Sequence, residues 1–387
     1  MDRRSFVRGM CLGGLATFAA PSVTFARVPG DRKLVFVLLR GGFDGMAAVV
    51  PIGDPAYAEL RGSMAFRPEA VSPLTDGFAL APGLAPLGEL WEAGEMVVAH
   101  AMAIPFRTRS HFDGQAVLET GLDRPSGSSD GWLNRLLQVM GGEVTGIAVG
   151  AGVPRSMDGA HPVLTWSPAE LGSVDDAYLD RLHVLYRSDR ILYDRFEAAI
   201  QLRDLEGDTD VMGGRRASGR MGPIMSAASR FLRDPEGPNV AALEFSGWDT
   251  HAGQGMEGGR LDRLLGQLAE GLLVLQGEMG TAWSSTTVVV MTEFGRTARP
   301  NGTGGTDHGT AGAGFVFGPN VARSVVLSDW PGLSDRDLFE GRDLRPTLDT
   351  RSLLKGVLGG VFDLTASQVN RVFPGSDAVR PAWTSMR

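Results

Sequence analysis

The sequence predicts an α/β fold built on a mostly parallel central sheet, with helices on both faces and a helical insertion. Three observations carry that reading. Apolar, β-branched runs such as Leu34–Leu39 and Val288–Met291 are continuous, as strands buried on both faces require. Helix-period segments alternate with these runs along most of the chain. Several runs stop at Asp, Glu or His, placing chemistry where open α/β sheets bind ligands, beyond the carboxyl ends of strands.

The chain opens on an address. Arg3 and Arg4, the short glycine-bearing apolar stretch Met10–Ala20, and the small residues around Thr24–Ala26 form a twin-arginine export signal over residues 1–26. A transmembrane anchor needs about 20 apolar residues, and this stretch is about half that. The pattern predicts passage through the twin-arginine translocase to the periplasm or beyond. Residues 27–387 then form one α/β domain. The signal carries Arg3, Arg4 and Arg8 against Asp2, so its removal takes the net charge from −8 to −10. So acidic a chain has no electrostatic footprint for nucleic acid. Cys11, the one cysteine, lies within the signal. Disulfides, thiolate ligands and a cysteine nucleophile are thereby excluded after processing, and a metal site has to be built from nitrogen and oxygen. No later stretch reads as a transmembrane segment.

Leu34–Leu39 is the first strand, and Arg40-Gly41-Gly42-Phe43-Asp44-Gly45 the turn after it. Residues 51–94 are rich in Pro and Gly. Strands follow at Met96–Met102, Val144–Val149, Pro162–Trp166, Asn239–Phe245, Thr286–Met291 and Gly314–Phe317. Helices are predicted over Ser110–Glu119, Trp132–Met140, Asp175–Leu205, Met221–Leu232, Gly259–Met279 and Thr347–Phe362. The stretch from about 167 to 233 is almost purely helical and reads as an insertion or cap, with residues 203–222 as a loop.

Residues that carry chemistry gather at the strand ends. Asp44 before Gly45 is a turn signal and equally a candidate metal ligand. Asp249 and His251 stand two apart on an extended segment and so point the same way. Glu293 directly follows a buried valine run, where a carboxylate needs a partner or an ion. Asp307 and His308 sit in a glycine-rich loop close behind it. His100 lies within a strand and reads as a core residue, His161 is a loop residue with no partner in sequence, and His183 lies in the long helix as a surface or packing residue.

The segment Pro105–Asp113 supports two readings. Ser110 with Asp113 has capping-box spacing, so Ser110 caps a helix. A hydroxyl at a helix N-terminus beside Arg107 and Arg109 also suits attack on a bound anion, with His111 as an additional ligand.

The motifs RGGFDG, PFRTRSHFDGQ, GWLNRLL, SGWDTH, TEFGRT and GTDHG, in this order behind a twin-arginine signal, resemble the exported bacterial proteins grouped as domain of unknown function 1501. The resemblance covers nearly all of the chain after the signal. That family looks like a branch of the alkaline phosphatase and sulfatase superfamily, which implies an alkaline-phosphatase-like domain. It further implies one or two divalent metals (Zn, Mn, Mg or Ca) held by Asp44, Asp249, His251, Glu293 and His308, with a nucleophile in the Thr108–Ser110 region. Glu293-Phe294 stands where the active phosphatases carry an Asp-His pair, and the Cys/Ser-x-Pro-x-Arg pattern of formylglycine sulfatases is missing. A single metal, or a site completed by His111 or Asp307, therefore stands beside the two-metal expectation. The implied function is metal-dependent hydrolysis or transfer at a small anionic phosphate or sulfate ester in the cell envelope. The other reading is a non-catalytic envelope protein that keeps the fold for binding or assembly.

Overall fold

Lys33–Arg40 (β1) is the centre of a nine-stranded sheet in a computed structural model that describes residues 32–127, 130–141, 144–150, 152–167, 182–183, 185–186, 193 and 221–383. The expected export signal, most of the expected helical insertion and residues 203–220 of the expected 203–222 loop lie outside the described residues, and residues 221 and 222 open a helix instead. The short strands Val49–Val50 (β2), Ser72–Pro73 (β3) and Ala79–Leu80 (β4) form a separate antiparallel sheet. The main sheet continues with Met96–Ala103 (β5), Gly146–Val149 (β6), Leu164–Trp166 (β7), Val240–Ser246 (β8), Thr286–Met291 (β9), Gly312–Phe317 (β10), Val325–Leu327 (β11) and Leu348–Asp349 (β12). Its order is β11-β5-β10-β9-β1-β8-β6-β7, with β12 also on β5.

Neighbours pair in parallel except around β10, which runs antiparallel to both β5 and β9. The sheet is therefore mixed and mostly parallel. The carboxyl ends of β1, β5, β8 and β9 share one edge, and β10 enters the sheet from that same edge.

The helices used below are Gly45–Ala48 (α1), Tyr57–Arg61 (α2), Gly88–Glu92 (α3), His111–Thr120 (α4), Trp132–Met140 (α5), Met221–Arg233 (α6), Arg260–Met279 (α7), Thr350–Val361 (α8) and Ala366–Val372 (α9). Strand alternation divides the core in two. Val35, Val37 and Leu39 of β1 meet the apolar faces of α6 and α7, while Leu34, Phe36 and Leu38 meet α5, α8 and α9. Leu261, Leu265, Leu268, Leu272 and Leu275 recur every three or four residues along α7, giving it one continuous buried stripe. With both faces covered, β1 and β9 have no polar side, which explains their unbroken apolar runs.

His100 belongs to this core. Its ring is fully buried against Phe78 and Trp330, with centroids 5.5 and 5.0 Å away. Nδ1 accepts from the Ala101 N–H at 2.8 Å, so Nε2 donates to the Val49 carbonyl at 2.9 Å. This satisfies the neutral ring completely, and burial lowers its pKa to about 4. The folded value lies below the ordinary one of about 6.5. Stability is therefore intact above about pH 6.5 and falls as pH drops toward 4, by about 3 kcal/mol from this group. His100→Gln is expected to flatten that part of the melting-temperature profile between pH 7 and 4.5. Parallel profiles for the two proteins would contradict it.

Candidate metal centre

Four loops leave the carboxyl edge of the sheet and meet above β1. The turn after β1 passes beneath Asp249: Gly41 has φ +126°, and a Cβ there would lie 2.5 Å from the Asp249 nitrogen. Only glycine permits that crossing. Its N–H donates to Glu293 Oε1 at 2.9 Å. The loop between β9 and β10 folds back until Gly305 abuts the His251 main chain, and Asn301 Nδ2 and Thr303 Oγ1 donate to the His251 carbonyl at 2.8 and 2.7 Å. The segment between β5 and α4 brings His111 in from the other side.

The result is a cluster of imidazoles around one carboxylate. His251 Nε2 and His308 Nε2 lie 3.1 and 3.2 Å from Asp249 Oδ1, and His111 Nε2 lies 3.4 Å from Oδ2. Donor atoms of His111, Asp249 and His308 all fall within 4.8 Å of one another. Each ring is turned by an acceptor behind it. His111 Nδ1 faces Glu293 Oε1 at 2.8 Å, His251 Nδ1 faces Asp307 Oδ1 at 3.1 Å, and His308 Nδ1 faces the Arg109 carbonyl at 2.9 Å.

The acceptors behind the rings need an N–H at each Nδ1, which leaves the Nε2 of a neutral ring a lone pair. The ionised Asp249 carboxylate opposite those Nε2 atoms also needs a positive partner, so the centre calls for protons or a cation between them. His251 Nε2 and His308 Nε2 are 2.9 Å apart. Two lone pairs at that distance repel, and only a proton or a cation between them makes the contact attractive. His111 Nε2 is buried without a hydrogen-bond partner. Imidazole rings fixed through one nitrogen by a carboxylate or carbonyl, with the other aimed at a shared point, have the arrangement of metal ligands and their supporting shell. Three imidazoles and a carboxylate suit zinc or a similar borderline divalent ion.

The surrounding charges favour the ligating forms. Burial works to raise the Asp249 pKa, but the hydrogen bond and charge of Arg296 prevail and hold the carboxyl below the usual range. Burial likewise opposes ionisation of Glu293, and the bonds from His111, Gln115 and the Gly41 N–H overcome it. His308 is shifted down, chiefly by burial, which favours the neutral ring. His111 is shifted up, chiefly by its bond to Glu293, so protons compete for its ring.

The expected ligands separate by role. His111, Asp249, His251 and His308 surround the centre. Glu293, expected as a ligand, is fully buried and its carboxylate accepts from Gly41 N, His111 Nδ1, Gln115 Nε2 and Thr292 Oγ1, so it orients His111 instead. Asp307 similarly serves His251, and Asn301 Nδ2 donates to it at 3.0 Å.

Asp44 is the clearest departure from expectation. It caps α1, accepts from both terminal nitrogens of the buried Arg61, at 2.8 Å for Nη1, and takes a further bond from Gln254 Nε2 at 2.8 Å. Burial would raise its pKa, yet the Arg61 charge holds it low. A carboxylate so engaged is not available to a metal. Phe294 occupies the remaining space, its ring centroid 4.9 Å from that of His111 and 5.0 Å from that of His308.

Ser110 caps α4, accepting from the Asp113 N–H at 3.4 Å, and stands between His111 and the Arg109 carbonyl that orients His308. Arg109 is committed elsewhere: Nε donates to Asp343 at 2.8 Å and Nη2 to Glu340 at 2.6 Å. Arg107 and Thr108 are exposed on the same segment.

Three residues with no role expected from the sequence hold the centre together. Arg296 is buried and donates to the Gly42 and Gly41 carbonyls at 2.6 Å each, to the Thr306 carbonyl at 3.0 Å, and to Asp249. Gln115, one helical turn after His111, bridges Arg40 and Glu293 at 2.7 and 3.1 Å. Asp343 joins Arg109 to Thr310, whose hydroxyl donates at 2.7 Å. Arg296 and Gln115 had a local signal, lying one turn or less beyond a candidate ligand; Asp343 had none.

No curated protein matches the chain. Among solved structures, "Crystal structure of Ps i-CgsB in complex with k-i-k-neocarrahexaose" is 11% identical, with a TM-score of 0.42 over 91% of this chain and 77% of that one. The phosphonate monoester hydrolase of Agrobacterium radiobacter is 13% identical, with a TM-score of 0.35 over 76% of this chain and 70% of the other. Residues 94–373 match the model of a family described as protein of unknown function (DUF1501), and the chain belongs to that family.

Proposed function

We propose that the chain holds one divalent metal ion among His111, Asp249, His251 and His308, and with it hydrolyses or transfers a phosphate or sulfate ester in the cell envelope. The observation that carries the reading is the convergence of three Nε2 atoms on one carboxylate, each ring held from behind by an acceptor. A bound divalent ion supplies Lewis-acid stabilisation of the charge that develops on a phosphoryl or sulfuryl group.

The protein's own residues supply the rest. Arg296 keeps Asp249 ionised and aimed at the centre. Glu293, Asp307 and the Arg109 carbonyl fix the three imidazoles. Ser110, adjacent to His111, offers the attacking hydroxyl, with Thr108 as the alternative. Arg107, exposed on the same segment, is the cation for the ester's non-reacting oxygens, since Arg109 is occupied by Asp343 and Glu340. The envelope location rests on Arg3 and Arg4 within the twin-arginine motif.

A second reading, metal binding without turnover, is favoured by one observation. Arg61 takes Asp44, and Phe294 packs on His111 and His308, so the site offers one ion's ligands rather than two. A panel of phosphate and sulfate esters separates the readings. For an enzyme, Ser110→Ala or Thr108→Ala keeps the metal and lowers turnover at least about 100-fold, whereas His251→Ala weakens metal binding and turnover together. Stoichiometric metal without turnover across the panel supports the binding reading.

A further inference from the structure

Asn301 ties the loop between β9 and β10 to His251. Its Nδ2 donates to the His251 carbonyl at 2.8 Å and to Asp307 Oδ1 at 3.0 Å, and Asp307 in turn faces His251 Nδ1. Its Oδ1 accepts from the main-chain N–H groups of Thr303 at 3.0 Å and Gly305 at 3.1 Å. Asn301 is half-buried, while Gly302, Thr303 and Gly304 after it are exposed. Gly302 has no left-handed φ, and a Cβ there would meet nothing within 4 Å. The fold therefore does not require glycine at 302. What glycine does provide is an uncrowded backbone nitrogen. Among the described residues, that N–H has no hydrogen-bond partner.

We infer that Asn301-Gly302 is a self-modification site, at which attack of the Gly302 nitrogen on Asn301 Cγ deamidates the side chain and disables the metal centre. The Gly302 nitrogen gives up its proton to solvent base as the N–Cγ bond forms. Negative charge develops on Oδ1, where the Thr303 and Gly305 N–H groups already point, an arrangement that stabilises such an oxyanion. The Cγ–Nδ2 bond then breaks, and the nitrogen takes a proton from solvent and leaves as ammonia. Water opens the resulting succinimide to aspartate or isoaspartate. One water is consumed, one ammonia is released, and nothing is oxidised or reduced. In the product a carboxylate oxygen stands where Nδ2 donated, facing the Asp307 carboxylate and the His251 carbonyl. Two hydrogen bonds become two acceptor–acceptor contacts, and the loop loses its hold on His251. The effect on the centre rests on the metal reading above; the modification does not.

Ageing the full chain tests this. The metal-free protein is held in alkaline and in mildly acidic buffer, and peptide mass spectrometry follows amide-to-acid exchange. Asn134, Asn239, Asn320 and Asn370, which precede Arg or Val, serve as internal references. Wild type is expected to convert at Asn301 ahead of these four, and faster in alkaline buffer, because the attacking nitrogen must lose its proton. Gly302→Ala should bind metal as wild type does. Its methyl crowds the nitrogen, so it should convert at least about tenfold more slowly, a barrier higher by roughly 1.4 kcal/mol. Asn301→Asp should lose about 10–100-fold in divalent-metal affinity, the usual cost of altering a residue that supports a ligand from behind. Aged wild type should lose affinity in step with conversion, while aged Gly302→Ala keeps it. Conversion at Asn301 no faster than at the reference asparagines, or equal rates in wild type and Gly302→Ala, overturns the site. Conversion with unchanged metal affinity overturns its effect on the centre. If fresh wild type binds no metal, the metal reading fails and that effect with it, and the mass spectra alone decide the modification.

Discussion

Arg296→Met is expected to destabilise the protein by about 3 kcal/mol, because it leaves buried main-chain acceptors without their donor at about 1–3 kcal/mol each. The guanidinium is fully buried and donates to Asp249 and to the carbonyls of Gly41, Gly42 and Thr306. Methionine fills much of the space and donates to none of them, leaving those acceptors without their partner. Lysine is also a poor replacement, because its single ammonium lacks the planar fork that reaches acceptors on three loops. Denaturant unfolding of the metal-free proteins measures this. A loss below about 1 kcal/mol for Arg296→Met, in the range of an ordinary surface change, would contradict the assigned role.

His308→Ala is expected to reduce divalent-metal affinity more than 100-fold, and Glu293→Gln by about 10–100-fold, the usual cost of altering a residue that only orients a ligand. The graded order is the informative result. His308 directs Nε2 at Asp249, whereas Glu293 acts on the centre only through His111 Nδ1. Asp44→Asn should leave metal affinity nearly unchanged, since Arg61 and Gln254 occupy that carboxylate. Metal titration with a competing chelator ranks the three. An Asp44→Asn loss equal to that of His308→Ala would return Asp44 to the ligand set.

The sheet was legible because its strands are buried on both faces. β1, β8 and β9 announce themselves as apolar runs, and each ends within a few residues of a candidate ligand. The small sheet of β2, β3 and β4 was not legible, since two-residue strands fall below any periodicity. Nor was the reversal of β10, which has no local signature.

Within the site, Asp249, His251 and His308 could be identified from their positions. Their division from Glu293 and Asp307 could not. A buried glutamate needs partners, but only folding reveals that Gly41, His111, Gln115 and Thr292 fill the need. Asp44 shows the same limit. An aspartate after a strand reads alike whether its partner is an ion or Arg61, and the arginine stands 17 positions away in sequence.

One divalent metal ion is proposed at this centre, and the metal content of protein produced in its native host is the decisive measurement. Elemental analysis of wild type, His111→Ala and Asp249→Ala after gel filtration should find about one divalent ion per wild-type chain. It should find almost none in either variant, because each ligand is needed to hold a borderline cation. Wild type without metal after reconstitution, or full occupancy in both variants, would contradict the claim.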